Sequence, residues 1–365
     1  MANSVDLLEL NEPEGAFRRI EAWLRERGFF APGGAGLVAD LFLGYGLSQT
    51  IRRDAAPPPP EPCPAVPLAA CVVRAQPPLV AQSHEGLGIG EWEPAWAVAE
   101  YEEAVERVRA AIAAGDVYQV NLVQHLSASC HGEPARIGRS VAAALAPLGP
   151  LHAEPFAGDG WAIAAASPEL FLARRGSRVW TMPIKGTRPL GESAELRESA
   201  KDAAEHVMIV DLERNDLSRV CEPGSVRWPE LMSTEELAGV EHMVSTVEGT
   251  LRDGVGLAEL LEATFPGGSV TGAPKIAAVD LIAEIEPVGR GPAMGALGRV
   301  HGNGDLDLAL TIRTFAAADG LLHLWVGGGI VWDSEPAAEL EESWTKARPL
   351  LDAIGASIHL PAGSR

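Results

Sequence analysis

The chain has 365 residues, 47% of them hydrophobic and 22% charged, with a formal net charge of −21. Such a composition belongs to a globular chain of about two ordinary domains, or one large domain with an appendage, and excludes wholesale disorder. The acidic balance disfavours non-specific nucleic-acid or lipid partners, no apolar run approaches the roughly 20 residues that cross a bilayer, and the acidic N-terminus is unlike a signal peptide, so a cytoplasmic protein without nucleic-acid or membrane partners is expected.

From the N-terminus, Leu7, Leu8, Phe17, Ile20, Trp23 and Leu24 recur at near-helical spacing and predict a helix across residues 5–30, stopped by APGGAG. GLVADLFLGYGL reads as a strand or buried turn, DAAPPPPEPCPAVP at 54–67 as a stiff extended linker, and LAACVVR as a strand. Residues 1–98 are thus expected to be a shortened N-terminal region with a Pro-rich linker, lying against a catalytic domain over 99–358. Cys63, Cys71, Cys130 and Cys221 show no CxxC pairing and suggest neither a zinc site nor a disulfide framework.

Past residue 99 the periodicity strengthens. EYEEAVERVRAAIAAG predicts an amphipathic helix with Tyr101, Val105, Val108 and Ile112 on one stripe and Gly115 as its stop. DVYQVNLVQHLSAS alternates as a long strand; WAIAAAS, ELFLARR and RVWTMP are further strands, the last two a hairpin at Gly176–Ser177. The following PIKGTR places Lys185 in a short polar turn stiffened by Pro183, where it either pairs with a carboxylate or serves chemistry. ESAKDAAEHVMIVDLERNDLSRV is helical in pattern, HMVSTVEGTL strand-like, and FPGGSVTGAPK a glycine-rich loop between two helices. GALGRV, DLALTIRTFAAA and LLHLWVGGGIVW form a strand meander before a closing helix, PAAELEESWTKARPLLDAI. Antiparallel meanders with helices between them predict an α+β fold of large packed sheets.

Several residues carry possible chemistry. Glu339 and Glu342 share one face of the closing helix and Glu205 lies on another; three carboxylates from two helices suit magnesium, although Glu342 also stands four residues before Lys346, the spacing of an ordinary surface ion pair. FPGGSVTGAPK lacks the Lys-Ser/Thr of a nucleotide phosphate loop, which leaves Lys275 and loop N–H groups able to hold a carboxylate. SWTK at 343–346 matches the SxxK of serine acyltransferases only by chance, having no partner motifs. In DLALTIRTF, taken as one strand, Arg313 shares a face with Ala309, Thr311 and Phe315 and pairs with a carboxylate of the protein or of a ligand. Gly327, Gly328 and Gly329 let a ligand approach backbone amides.

GDVYQVNL, SPELFL, PIKGTRP, AEHVMIVDLERNDL, HMVSTVEG, FPGGSVTGAPK, ALTIRT, GGGIVWDS and AELEESWTKA occur in the order found in chorismate-utilizing enzymes, and residues 99–355 resemble that family, which includes anthranilate synthase component I, aminodeoxychorismate synthase component I, and isochorismate and salicylate synthases. The resemblance implies an anthranilate synthase component I-like fold of two large packed β-sheets with helices outside, and an active site containing magnesium (Mg2+). It implies Glu205 and Glu342 as metal ligands, with Glu339 acting through water. It implies Arg313, Lys275, Thr187, Gln119 and Gly327 to Gly329 as substrate-binding residues, His242 as a catalytic residue near the ring, and Glu169 as the acid that protonates the departing C4 hydroxyl. PIKGT resembles the aminodeoxychorismate synthase form, in which the lysine adds at ring C2, whereas anthranilate synthases resemble PIAGT. Gln119 stands where water-using members carry a lysine. The implied substrates are chorismate and ammonia, with a separate glutamine amidotransferase component II as partner. Anthranilate synthase component I is the alternative, and a non-catalytic amidotransferase-binding subunit a remoter one. LLEL at 7–10 lacks the serine of the family's LLES-like segment, so tryptophan binding there is not implied.

Overall fold

The computed structural model describes residues 6–54, 56–74, 88–189, 200–237 and 240–356, with the backbone alone described at 187–189, 200–202, 236, 237 and 240. Among these residues the β-forming runs pair into two antiparallel sheets. In the larger, of ten strands, the order is β1 (Leu7–Leu10), β3 (Ala69–Val73), β2 (Val38–Leu43), β14 (Ala296–His301), β15 (Leu306–Leu310), β8 (Leu170–Arg175), β9 (Arg178–Met182), β12 (Val240–Thr250) and β10 (Ile184–Pro189), with β11 (Arg227–Leu237) on β12. The smaller, of seven, runs β13 (Gly272–Ala273), β5 (Gln119–Cys130), β17 (Leu321–Ile330), β16 (Thr314–Ala318), β7 (Trp161–Ala165) and β6 (Phe156–Gly158), with β4 (Ile89–Pro94) on β5.

One hydrophobic core takes side chains from both sheets, Leu172, Leu308 and Leu310 from the larger and Leu122, Phe315 and Leu324 from the smaller. Each such burial contributes roughly 1.5–3 kcal/mol relative to exposure. The helices are α1 (Ala16–Glu26), α2 (Val98–Ala114), α3 (Pro134–Leu145), α4 (Ala200–Ser218), α5 (Leu257–Thr264), α6 (Lys275–Ile285) and α7 (Pro336–Ala353). On α7, Leu340, Trp344, Ala347 and Leu351 are buried at helical spacing, leaving the flanking face for Glu342 and Lys346. No helix among the described residues is long and apolar enough to cross a membrane. The architecture is the expected α+β arrangement of two large sheets with helices.

Three local expectations give way to long-range pairing. Residues 7–10 are strand β1, with Leu8 opposite Cys71, and the helix begins only at Ala16, after Pro13 and a left-handed Gly15 (φ 64°). DLALTIRTFAAA is two strands in different sheets: β15 pairs with β8, β16 with β7, and the chain crosses at Thr311–Arg313, where Arg313 adopts φ 51°. PIKGTR is strand β10 rather than a turn; it pairs with β12 through a bulge between Lys185 and Thr187, made possible by Gly186 at φ 68°. Residues before 98 add β1 to β3 to the larger sheet and β4 to the smaller, so the sheets do not break at that boundary.

Candidate active site

A cavity of about 670 Å³ lies between the sheets, walled by β10 and the 168–169 segment on one side, β5 and β17 on the other, and by α4 and α7. It brings together Glu169, Lys185, His242, Arg313, Glu205, Glu342 and Gly327 to Gly329. These come from more than 170 residues of chain, and the crossing of the chain between sheets at Arg313 is what lets that cation enter the gap.

Glu169 is buried at the start of β8, and its backbone carbonyl accepts a hydrogen bond from Leu310 N at 3.0 Å. Its Oε1 accepts from Ser269 Oγ at 2.7 Å and from Ile184 N at 3.4 Å. Burial raises its proton affinity above the ordinary carboxyl value, opposed by the Ser269 hydrogen bond and the charge of Lys185. A carboxyl of raised proton affinity beside a cavity suits proton donation.

Lys185 follows Ile184 directly, so the strand that hydrogen-bonds Glu169 also delivers the amine to the cavity. Among the described residues neither Lys185 nor Arg313 has an ion-pair partner within 4.0 Å. The carboxylate pairing that the local sequence leaves open for Lys185 is therefore not formed among the described residues. His242 is buried, donates Nδ1–H to the Gly186 carbonyl at 3.3 Å, and is kept neutral by burial, which lowers its pKa. This contact ties the β10 bulge to β12. Arg313 is half-buried, and burial lowers its pKa while Glu169 opposes that shift. Its guanidinium suits a ligand carboxylate.

Opposite lies α7. A Cβ on Gly328 would stand 3.3 Å from both Glu342 Oε1 and Lys346 Nζ and 3.6 Å from Glu339 Oε2, so bare glycine lets these groups close on the strand. Lys346 Nζ pairs with Glu342 at 2.8 Å and donates to Gly327 O at 2.8 Å. Glu339 is buried and accepts from Ser334 Oγ at 2.5 Å. Glu205, half-buried on α4, faces the same cavity. An all-carboxylate donor set fits a hard divalent cation. Among the described residues, however, no three acidic, histidine or cysteine side chains are gathered into one cluster.

Lys275 does not reach the cavity. Its ammonium pairs with Asp216 Oδ2 at 2.5 Å and donates to Thr264 O at 2.9 Å, inside the protein. Gln119 packs, buried, over Gly329 and does not line the cavity either. The side chain of Thr187 lies outside the described residues. Sequence reasoning missed Ser269, Asn121, Trp325 and, as a cavity cation, Lys346. For Lys346 a signal existed in its spacing from Glu342, but that spacing also describes a solvated pair.

Behind Gly268, Glu213 of α4 is buried and accepts from Thr181 Oγ1 at 3.0 Å. Burial first, then the charge of Glu169, pushes its pKa from 4.5 up to about 8. The folded state therefore binds a proton that the unfolded state releases. Its stabilising contribution is complete below pH 4.5, declines as pH rises, and is gone above about 8. The melting temperature should fall across that window, and Glu213→Gln should flatten the fall in a pH series of thermal melts.

The family described as chorismate binding enzyme matches residues 35–352. The chain is 42% identical over 285 residues to anthranilate synthase component 1 of Streptomyces coelicolor, covering 76% of this chain and 55% of that protein. It is 41% identical over 275 residues to aminodeoxychorismate synthase component 1 of Klebsiella aerogenes, covering 72% and 59% respectively. Its structure resembles that of anthranilate synthase component I from Streptococcus pneumoniae TIGR4, with a TM-score of 0.75 at 28% identity over 87% of this chain and 81% of that one. The chain spans a little over half the length of these curated relatives, whose names divide between two reactions. The family match begins at Ala35, ahead of β2, and ends within α7, so it takes in every wall of the cavity; the chain belongs to the chorismate binding enzyme family.

Proposed function

We propose that the chain is component I of an aminodeoxychorismate synthase, replacing the C4 hydroxyl of chorismate with ammonia supplied by a separate glutamine amidotransferase, component II. The observation that carries this reading is Lys185: an amine in the cavity, on the strand that hydrogen-bonds Glu169, with no ion-pair partner among the described residues.

In the first step the lone pair of the Lys185 nitrogen forms a bond to ring C2. The two ring double bonds shift, the C4–O bond breaks, and Glu169 gives its proton to the leaving oxygen, which departs as water. In the second, ammonia bonds to C4, the double bonds shift back, the C2–N bond to Lys185 breaks, and the Glu169 carboxylate takes a proton from the new ammonium. The sum is chorismate plus ammonia giving 4-amino-4-deoxychorismate plus water, with both side chains restored. Arg313 and Lys346 supply two cations for the two substrate carboxylates, and His242 holds the bulge that aims Lys185. Glu205 and Glu342, with Glu339 behind them, would hold Mg2+, which would neutralise and orient the ring carboxylate; to do so Glu342 must leave Lys346. Gln119, buried over Gly329, offers no base to activate water.

The 42% identity to an anthranilate synthase component 1 keeps amination at C2 as the second reading. Incubation with chorismate, Mg2+ and an ammonium salt separates them. Product of the mass of aminated chorismate, without pyruvate release, is expected; anthranilate and pyruvate as sole products would overturn the proposal.

A further inference from the structure

The turn Gly289–Gly291 joins the cavity wall to a segment whose composition suggests only a linker. Its central residue, Arg290, is fully buried with its guanidinium carbon 4.6 Å from the Tyr45 ring centroid. Nη1 donates to Val270 O at 2.7 Å and Nη2 to Asn121 O at 2.6 Å, both on the cavity wall. Glu286 neutralises it, accepting from Nε at 2.8 Å and Nη2 at 2.6 Å, and also accepts from Val123 N at 2.9 Å. Asn121 N donates in turn to Thr271 O at 2.7 Å. The loop 269–271 is thus fixed on both sides of Val270, and Ser269, one residue earlier, donates to Glu169.

The outer side of the same turn rests on the proline-rich segment. Gly289 N donates to Pro60 O at 2.8 Å and Gly291 N to Glu61 Oε2 at 3.0 Å. A Cβ on Gly289 would lie 2.5–2.6 Å from the Glu61 carboxylate, so the two surfaces meet with no room for a side chain. Trp325, a cavity residue, donates Nε1–H to Gly289 O at 3.2 Å.

We propose that Glu61, acting through Arg290 and the 269–271 loop, is a positioning residue for Glu169, so that the proline-rich segment is a strut of the active site. This rests on the cavity being the site of chorismate chemistry. A carboxylate that fixes Gly291 N fixes the Arg290 backbone. Arg290 fixes Val270, and Val270 fixes where the Ser269 hydroxyl meets Glu169. Loosening the strut should blur the aim of the acid more than it weakens substrate binding.

The test compares Glu61→Ala, Glu61→Gln, Ser269→Ala and the Glu61→Ala/Ser269→Ala double variant in the full chain. Glu61→Ala is expected to lower kcat for chorismate consumption by about five- to tenfold with KM changed by less than about twofold. Glu61→Gln, which keeps an acceptor for Gly291 N, should restore most of it. The double variant should be no slower than Ser269→Ala alone, because both act through one contact. Backbone hydrogen exchange over residues 266–273 should be faster in Glu61→Ala than in the unaltered chain, a readout independent of turnover. Unchanged exchange in that segment, or kinetic losses that multiply in the double variant, would overturn the proposal. If the unaltered chain consumes no chorismate, the reaction assignment fails, and the exchange measurement alone decides whether the strut exists.

Discussion

Lys185→Ala is expected to lower ammonia-dependent formation of aminated chorismate by on the order of 10²-fold or more, with chorismate binding retained. The loss should fall on kcat, because Arg313 and Lys346, the cations proposed to anchor the substrate, and Glu342 of α7 remain in the cavity. The fold should tolerate it: Lys185 pairs with Met243 through its backbone, and its side chain forms no ion pair among the described residues. Folded stability should therefore change by about 0.5 kcal/mol or less. Lys185→Arg separates nucleophile from charge. Arginine keeps a cation but cannot add to a ring carbon as a free amine, so rescue by arginine would return Lys185 to an electrostatic role. Single-turnover assays followed by product mass give the answer, and full activity in Lys185→Ala would refute the assignment of the amine to C2.

Much of the fold was legible because most elements carry their own period and their own stops. α2 shows its stripe of Tyr101, Val105 and Val108, and β8 and β9 show a hairpin turn at Gly176–Ser177. What could not be read locally was decided by partners far along the chain. DLALTIRTFAAA alternates without interruption, yet β15 meets β8 and β16 meets β7, and only that division puts Arg313 between the sheets. The lysines show the same limit. Lys275 and Lys346 each have an acidic neighbour in space, but Asp216 is 59 residues from Lys275, while Glu342 is four from Lys346. Spacing reveals the second pair and hides the first, so the interior pair looked available to a ligand and the cavity pair looked like surface. The strut has the same origin, since nothing in PPPPEPCP announces that Glu61 meets Gly291, 230 residues away.

Glu169→Gln should lower turnover by roughly 10²- to 10⁴-fold, the range attached to a positioned proton donor, while leaving the side chain's size and its acceptor for Ser269 intact. Its pH dependence is the sharper signature. Burial raises the Glu169 pKa, so the proton that the proposed C4–O cleavage would draw on is present at low pH and lost as pH rises through that raised value. The unaltered chain should therefore show an alkaline limb in kcat/KM, and the residual activity of Glu169→Gln should lack it. The same shift gives folded stability in the same direction: the protonated carboxyl favours the folded state below the ordinary carboxyl value, and that contribution disappears as pH rises. Glu169→Gln, neutral throughout, should keep its melting temperature better at alkaline pH. Rate profiles and melts taken from acid to alkaline pH test both parts. An alkaline limb that survives in Glu169→Gln would move the proton donor elsewhere.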